Sequence, residues 1–163
     1  MDLEKAIALN PRFAVAHYDL GLAFHHKKDH DRAIDSFSKA IAIGWKSAAA
    51  YRERAKAFVE KAEFDKAIAD YGKAVGLTPE VATLYSARAW AYLKAGRPAN
   101  GLPDAEKALQ LQPNDANARE TRASILEALG RRDEAIADFR RALAIDPLLR
   151  GSLDGLERLG AGR

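Results

Sequence analysis

The stretch YRERAKAFVEKAEFDKAIADYGKAVGLTP, Tyr51 to Pro79, decides the fold. It contains two helix-forming runs, one from about Ala48 to Lys61 and one from about Phe64 to Leu77. In the second, Ala67, Ile68, Tyr71, Ala74 and Val75 recur at the spacing that puts apolar residues on one face of a helix. Asp65 stands just ahead of that stripe, where the positive end of the helix dipole favours a carboxylate. Pro79 stops the run, because proline has no N–H to donate and restricts the residue before it.

Outward from this stretch the same pattern returns every 34 residues. Ala6, Ala40, Ala74, Ala108 and Ala142 form one series. Pro11, Pro79, Pro113 and Pro147 form a second, with Trp45 in its vacant place. Four more series read Ala33, Ala67, Gly101, Ala135; Phe37, Tyr71, Ala105, Phe139; Phe24, Phe58, Tyr92, Leu126; and Gly21, Ala55, Ala89, Ala123. Asp31 and Asp133 repeat the place of Asp65. Six series in one register specify an internal repeat. Small residues let the first helix of each pair (A) cross closely over the second (B), and the aromatics fill the space beside the crossing.

Residues Tyr51 to Pro79, with their small, aromatic and proline positions, resemble the tetratricopeptide repeat family, and the resemblance extends over nearly the whole chain. It implies an all-α fold, a right-handed α-solenoid of antiparallel helix pairs whose A helices line a concave groove that docks peptides or partner proteins. In such arrays each unit is stabilised mainly by its neighbours. The expected organisation is a single domain over 1–163. Residues 1–11 are the second helix of a truncated repeat, four full repeats cover 14–47, 48–81, 82–115 and 116–147, and a capping helix covers 148–160.

Composition agrees with a folded chain: 163 residues, 48% hydrophobic and 30% charged. The net charge of +3 is mild. The densest basic cluster, Lys27 and Lys28, is broken at once by Asp29, so nucleic acid is not the expected partner. The absence of cysteine excludes disulfides, thiolate metal sites and a cysteine nucleophile. No apolar run reaches the roughly 18 residues of a membrane span. The opening residues lack the pattern of a signal peptide. A cytoplasmic location is favoured, and a periplasmic one stays open if a leader has been removed. The frequent Ala, Arg and Gly and the divergence between repeats point to a natural bacterial protein.

The pattern departs from its own regularity in four places. The chain opens on a B helix with no A partner, the expected mark of a fragment, and Ala6, Ile7 and Leu9 form an end that can self-associate. In the third repeat Pro98, Gly101 and Pro103 fall where the others have a regular B helix, so that helix is expected to begin late, near Leu102, or to bend; this is either a tolerated defect or a hinge. Arg54, Arg88 and Arg122 occupy a slot often filled by Leu and are read as structural, with methylenes over the core and guanidinium groups in solvent. At the other end Leu149, Leu153, Leu156 and Leu159 are spaced for an amphipathic cap, with Asp154, Glu157 and Arg158 outside.

No motif for catalysis is present: no glycine-rich phosphate loop, no GxSxG and no HExxH. The carboxylates Asp35, Asp70, Asp104 and Asp138 recur on B helices, where water rather than a shielded pocket is expected, so general acid–base pairs are not. His26 and His30, four apart, could share a metal on one helix, but they flank an expected turn and lack a third ligand; they are read as solvated turn histidines. His17 is read as a polar residue at a helix contact. No cofactor, no metal and no enzyme activity are expected.

If the A helices line a groove, its wall includes Tyr18, Leu22 and His25 from the first full repeat, Arg52 and Lys56 from the second, and Trp90 and Leu93 from the third. Arg52 and Lys56, one turn apart, could hold a carboxylate. Trp90 offers a wide apolar face and one donor, or else packs against the next A helix. The subclass of the family that grips the EEVD terminus of Hsp70 and Hsp90 needs cations and asparagines at places where this chain has Tyr18, Leu22, Glu53, Thr83 and Ala87. That mode is disfavoured. The expected function is a scaffold for a peptide or partner-protein segment; the alternative is a structural spacer or self-association module of a larger protein.

Overall fold

The computed structural model describes residues 3–162, which form ten α-helices and, among the described residues, no strand. They are α1 (Leu3–Leu9), α2 (Ala14–His26), α3 (His30–Ile43), α4 (Ala48–Glu60), α5 (Phe64–Leu77), α6 (Ala82–Lys94), α7 (Pro98–Leu111), α8 (Ala116–Ala128), α9 (Arg132–Ile145) and α10 (Arg150–Arg158). The A helices are α2, α4, α6 and α8, each packed on the B helix that follows it. The fold is the all-α class of helix pairs found in α-solenoids.

Local chemistry sets the helix ends. Side chains of Asp29, Ser47 and Asp115 accept from the backbone N–H three residues on, at 3.1, 3.1 and 3.0 Å, which satisfies donors at the starts of α3, α4 and α8. Every A–B turn closes with the same bond: Asp29 N–H to Phe24 O, Glu63 to Phe58, Arg97 to Tyr92 and Arg131 to Leu126, each 2.9 Å. That closure requires a left-handed residue just before the donor. Gly96 and Gly130 supply it at φ 72° and 74°, whereas Lys28 and Ala62 adopt φ 59° and 56° without glycine's freedom.

The helices fall into two compact units, Met1–Pro79 and Glu80–Arg163. In the first, Ala33, Phe37 and Ala57 form a buried cluster with Tyr18, Leu22, Phe24 and Ile34 against it. Gly21 is needed there, since a Cβ at that position would lie 2.6 Å from the Phe37 ring. In the second unit Ala123, Leu126, Ala135, Ile136, Phe139 and Leu156 form the larger cluster. Leu156 brings α10 into it, so α10 packs on the α8–α9 pair.

A smaller cluster in the second unit, Ala89, Ala105 and Ile125, explains the missing aromatic of the third repeat. In the first unit a large Phe37 meets a small Ala57. In the second the sizes are exchanged: Ala105 is small and Ile125, on the next A helix, is large and fully buried. The bulk of Ile125 thus takes up space that the missing aromatic leaves, as close packing favours.

The third repeat corrects one expectation. Helix α7 starts at Pro98, not near Leu102, and runs its full 14 residues. Pro98 stands in the first turn, where its missing N–H would have had no intrahelical partner. Pro103 lies inside the helix and removes one backbone bond. Gly101 marks close approach of α7 to α6, because a Cβ there would meet Ala89 O at 2.8 Å.

The carboxylates of the B helices correct another. Asp70, Asp104 and Asp138 are buried, not solvated. Each receives a two-point grip from the arginine sixteen residues earlier: Arg54 to Asp70 at 2.6 and 2.8 Å, Arg88 to Asp104 at 2.6 and 2.7 Å, and Arg122 to Asp138 at 2.6 and 2.9 Å. The structural role expected of the arginines therefore comes from a bidentate ion pair within each repeat, beyond simple coverage by methylenes. The hydrogen bonds from Arg88 and Arg122 raise their pKa values further, which keeps both guanidinium groups charged.

Candidate peptide-binding surfaces

In the first unit, α2 carries Tyr18, Leu22 and His25, and α4 carries Arg52 and Lys56. Leu22, His25 and Lys56 line one cleft of ≈ 580 Å³, together with His26, Lys28, His30, Glu53 and Glu60. Tyr18 packs its ring against Phe37 at 5.7 Å and Trp45 at 6.2 Å, next to the buried cluster. Burial, with Glu53 nearby, raises its pKa.

Arg52 and Lys56, expected to await an external carboxylate, already hold an internal one. Arg52 Nε donates to Glu53 at 2.8 Å, and Lys56 Nζ lies 3.2 Å from both of its oxygens. Glu53 is 7% exposed, so the pairing compensates a charge that burial alone would disfavour. Its field reaches Tyr71, whose phenol is pushed up to about 12, first by burial and then by Glu53. Nothing in the sequence around Glu53 marks its depth.

The histidines do not form a helical i, i+4 pair. His26 ends α2 and His30 begins α3, and the rings that meet are those of His25 and His30, edge-on at 5.5 Å. Both Nδ1 atoms are buried and, among the described residues, unpartnered. Burial and the neighbouring His30 lower the His25 pKa. Among the described residues no group of three or more His, Asp or Glu could hold a metal ion. His17, by contrast, is buried at a helix contact, with Nε2 3.0 Å from Pro11 O.

In the second unit Trp90 and Leu93 line a cleft of ≈ 510 Å³ with Lys94, Glu120, Glu127 and Arg158 among its walls. Trp90 also lines an adjoining cleft of ≈ 410 Å³ with Thr83, Ser86, Asp115, Asn117, Glu120 and Thr121. The indole is 37% exposed, and Lys94 Nζ sits 4.4 Å from its centroid. Arg158 grips Glu127 at 2.9 and 2.8 Å, and Ser152 Oγ donates to Glu120 at 2.9 Å. Helix α10 thus contributes a side of the first cleft, which the local sequence around Trp90 does not announce.

Comparison with known proteins agrees with this architecture. The sequence profile described as tetratricopeptide repeat matches residues 2–48, 52–110 and 86–149. Among solved structures, the chain is similar to YrrB, described as a TPR protein with an unusual peptide-binding site: 24% identity, 99% of this chain and 83% of that one covered, TM-score 0.80. It is also similar to MamA, at 24% identity, 89% and 85% coverage and TM-score 0.83. The first TPR of Spaghetti (RPAP3), bound to the HSP90 peptide SRMEEVD, matches at 24% identity, 70% and 90% coverage and TM-score 0.67. At these identities the likeness is one of fold. No curated protein matches the chain in sequence. Among the described residues no helix is long and apolar enough to cross a membrane.

Proposed function

The chain belongs to the tetratricopeptide repeat family, and from that premise we propose that it is a protein–protein interaction scaffold binding a peptide or partner-protein segment against its A helices. The wall residues are Tyr18, Leu22, His25, Arg52 and Lys56 in the first unit and Trp90 and Leu93 in the second. The observation that carries the reading is Trp90, an indole 37% exposed that lines two adjoining clefts. Exposed aromatics in concave surfaces are the anchors on which interface energy concentrates. YrrB, with its peptide-binding site, gives the reading independent support from the fold.

Repeat proteins of this family are generally scaffolds without catalysis, and the proposal includes none. Nor is an EEVD-type terminus the proposed ligand, although the Spaghetti neighbour holds such a peptide. Arg52 and Lys56, the cations expected to hold a carboxylate, are already paired with Glu53.

Peptides selected on the intact chain test the reading. Trp90→Ala should weaken their capture at least tenfold, the scale of a truncated aromatic anchor, with helicity by circular dichroism unchanged. Capture that persists at full strength in Trp90→Ala and Arg52→Ala would remove this surface from consideration.

A further inference from the structure

We infer that the segment taken by the second unit carries a lysine or arginine, whose aliphatic stem lies on Trp90 and whose charged head meets Glu120. The inference rests on the interaction reading above and names the chemistry of the ligand at one of its clefts. It begins from charge. The cleft of ≈ 410 Å³ beside Trp90 has two charged residues in its wall, Asp115 and Glu120, and no basic one.

Glu120 is the unusual member. Three other shielded carboxylates of this unit have a cation: Asp104 has Arg88, Asp138 has Arg122, and Glu127 has Arg158, whereas Asp115, in the same wall as Glu120, caps α8 by accepting from Ala118 N–H. Among the described residues no lysine or arginine pairs with Glu120. Its one side-chain partner is the neutral Ser152 Oγ, at 2.9 Å. That hydrogen bond anchors it against α10, whose backbone passes so near at Gly151 that a Cβ there would meet the Glu120 carboxyl group. A fixed carboxylate with an unsatisfied charge, half-buried beside an aromatic face, favours a cation supplied from outside.

Trp90 supplies the second half of the site. The ring already accepts one ammonium, since Lys94 Nζ lies 4.4 Å from its centroid. Lys94 lines the first cleft but not the second, which leaves the indole free to receive a second stem on the acidic side. Apolar methylenes on the ring and a charged head on a carboxylate match the two chemistries of lysine and arginine. The small hydroxyl residues Thr83, Ser86 and Thr121 leave room for such a long side chain.

A random dodecapeptide library displayed on phage and selected on the intact chain provides the probe, with affinities measured on labelled copies of the selected peptides. The expected peptides share a lysine or arginine at one position. Changing that residue to Glu abolishes binding, and Glu120→Gln, which keeps an acceptor for Ser152, weakens it on the order of tenfold or more. Raising salt from 50 to 500 mM weakens binding to the wild type more than to Glu120→Gln. Peptides without a shared basic residue, or equal affinity for Glu120→Gln, overturn the cation site; if Trp90→Ala still weakens them, the interaction reading survives. Peptides indifferent to Trp90→Ala, or no selected peptides at all, overturn both.

Discussion

Asp138, only 2% exposed, accepts two hydrogen bonds from Arg122, at 2.6 Å from Nε and 2.9 Å from Nη2. Arg119 adds a second guanidinium at 3.6 Å. The same pair recurs as Arg88–Asp104 and Arg54–Asp70, but the first full repeat has Leu20 and Ser36 in the corresponding positions. The two columns change together, which is what a buried pair requires: a guanidinium left without its carboxylate costs more than the pair contributes.

Asp138→Ala should therefore destabilise the protein by about 3 kcal/mol, because it strands a partly buried guanidinium. The double variant Arg122→Leu, Asp138→Ser, which installs the Leu20 and Ser36 solution, should recover most of that loss. Urea unfolding midpoints of the three proteins decide it. A double variant no more stable than Asp138→Ala would show that the columns are independent.

Exchange of size between Ala105 and Ile125 makes a second prediction of the same form. Ile125→Ala removes a fully buried side chain and should cost about 3 kcal/mol. Ala105→Phe alone overpacks the same space and should cost about 2 kcal/mol. Together they recreate the Phe37 and Ala57 arrangement of the first unit, so their effects should cancel in large part. Additive losses by thermal unfolding would contradict the exchange.

The repeat, its helix pairs and the A–B crossings were legible in the sequence because they depend on period, and a 34-residue period survives any single substitution. Ala33, Ala67, Gly101 and Ala135 needed no structure to be read as a crossing. What escaped was pairing between columns. Arg122 and Asp138 stood in two recognised series, yet one was read as a solvated face, because burial of a carboxylate depends on its neighbour's charge and leaves no mark on its own helix. Glu53 was hidden for the same reason, and its two cations were read as waiting for a ligand. Pro98 misled by composition alone; its effect depends on falling in the first turn. The surroundings of Trp90 include Glu120 from α8 and Gly151 from α10, and the docking of α10 is a long-range event that no local pattern near Trp90 encodes.

Within α7, two substitutions to the same residue should act in opposite directions. Pro103→Ala restores a backbone donor at an exposed site and should stabilise by about 1–3 kcal/mol. Gly101→Ala gains helix propensity of about 1 kcal/mol, but its Cβ would press on Ala89 O at 2.8 Å, and the two backbones must separate. A net loss of about 2 kcal/mol is expected, the scale of overpacking in a close crossing. Chemical denaturation of the two variants tests the signs, and a stabilising Gly101→Ala would mean that the α6–α7 crossing has slack.

His25 makes stability depend on pH. Burial and the facing His30 lower its pKa in the folded protein, against smaller opposing effects of Glu53 and Glu60, with Lys56 adding a lesser lowering. The unfolded chain, with a histidine near its ordinary value of about 6.5, then binds more protons than the folded one just below that pH. His25's contribution is accordingly present in full above about pH 6.5 and declines as pH falls through that value toward the lowered folded pKa. Urea midpoints should drop between pH 7.5 and 5.5, and His25→Gln should remove part of the slope. Replacing His30 with Gln takes away one of the opposing charges and should move the His25 titration, followed by NMR at its ring Hε1, back toward 6.5. A His25 midpoint at or above 6.5 in the unmodified protein would mean that its ring is solvated and its contact with His30 carries no electrostatic consequence.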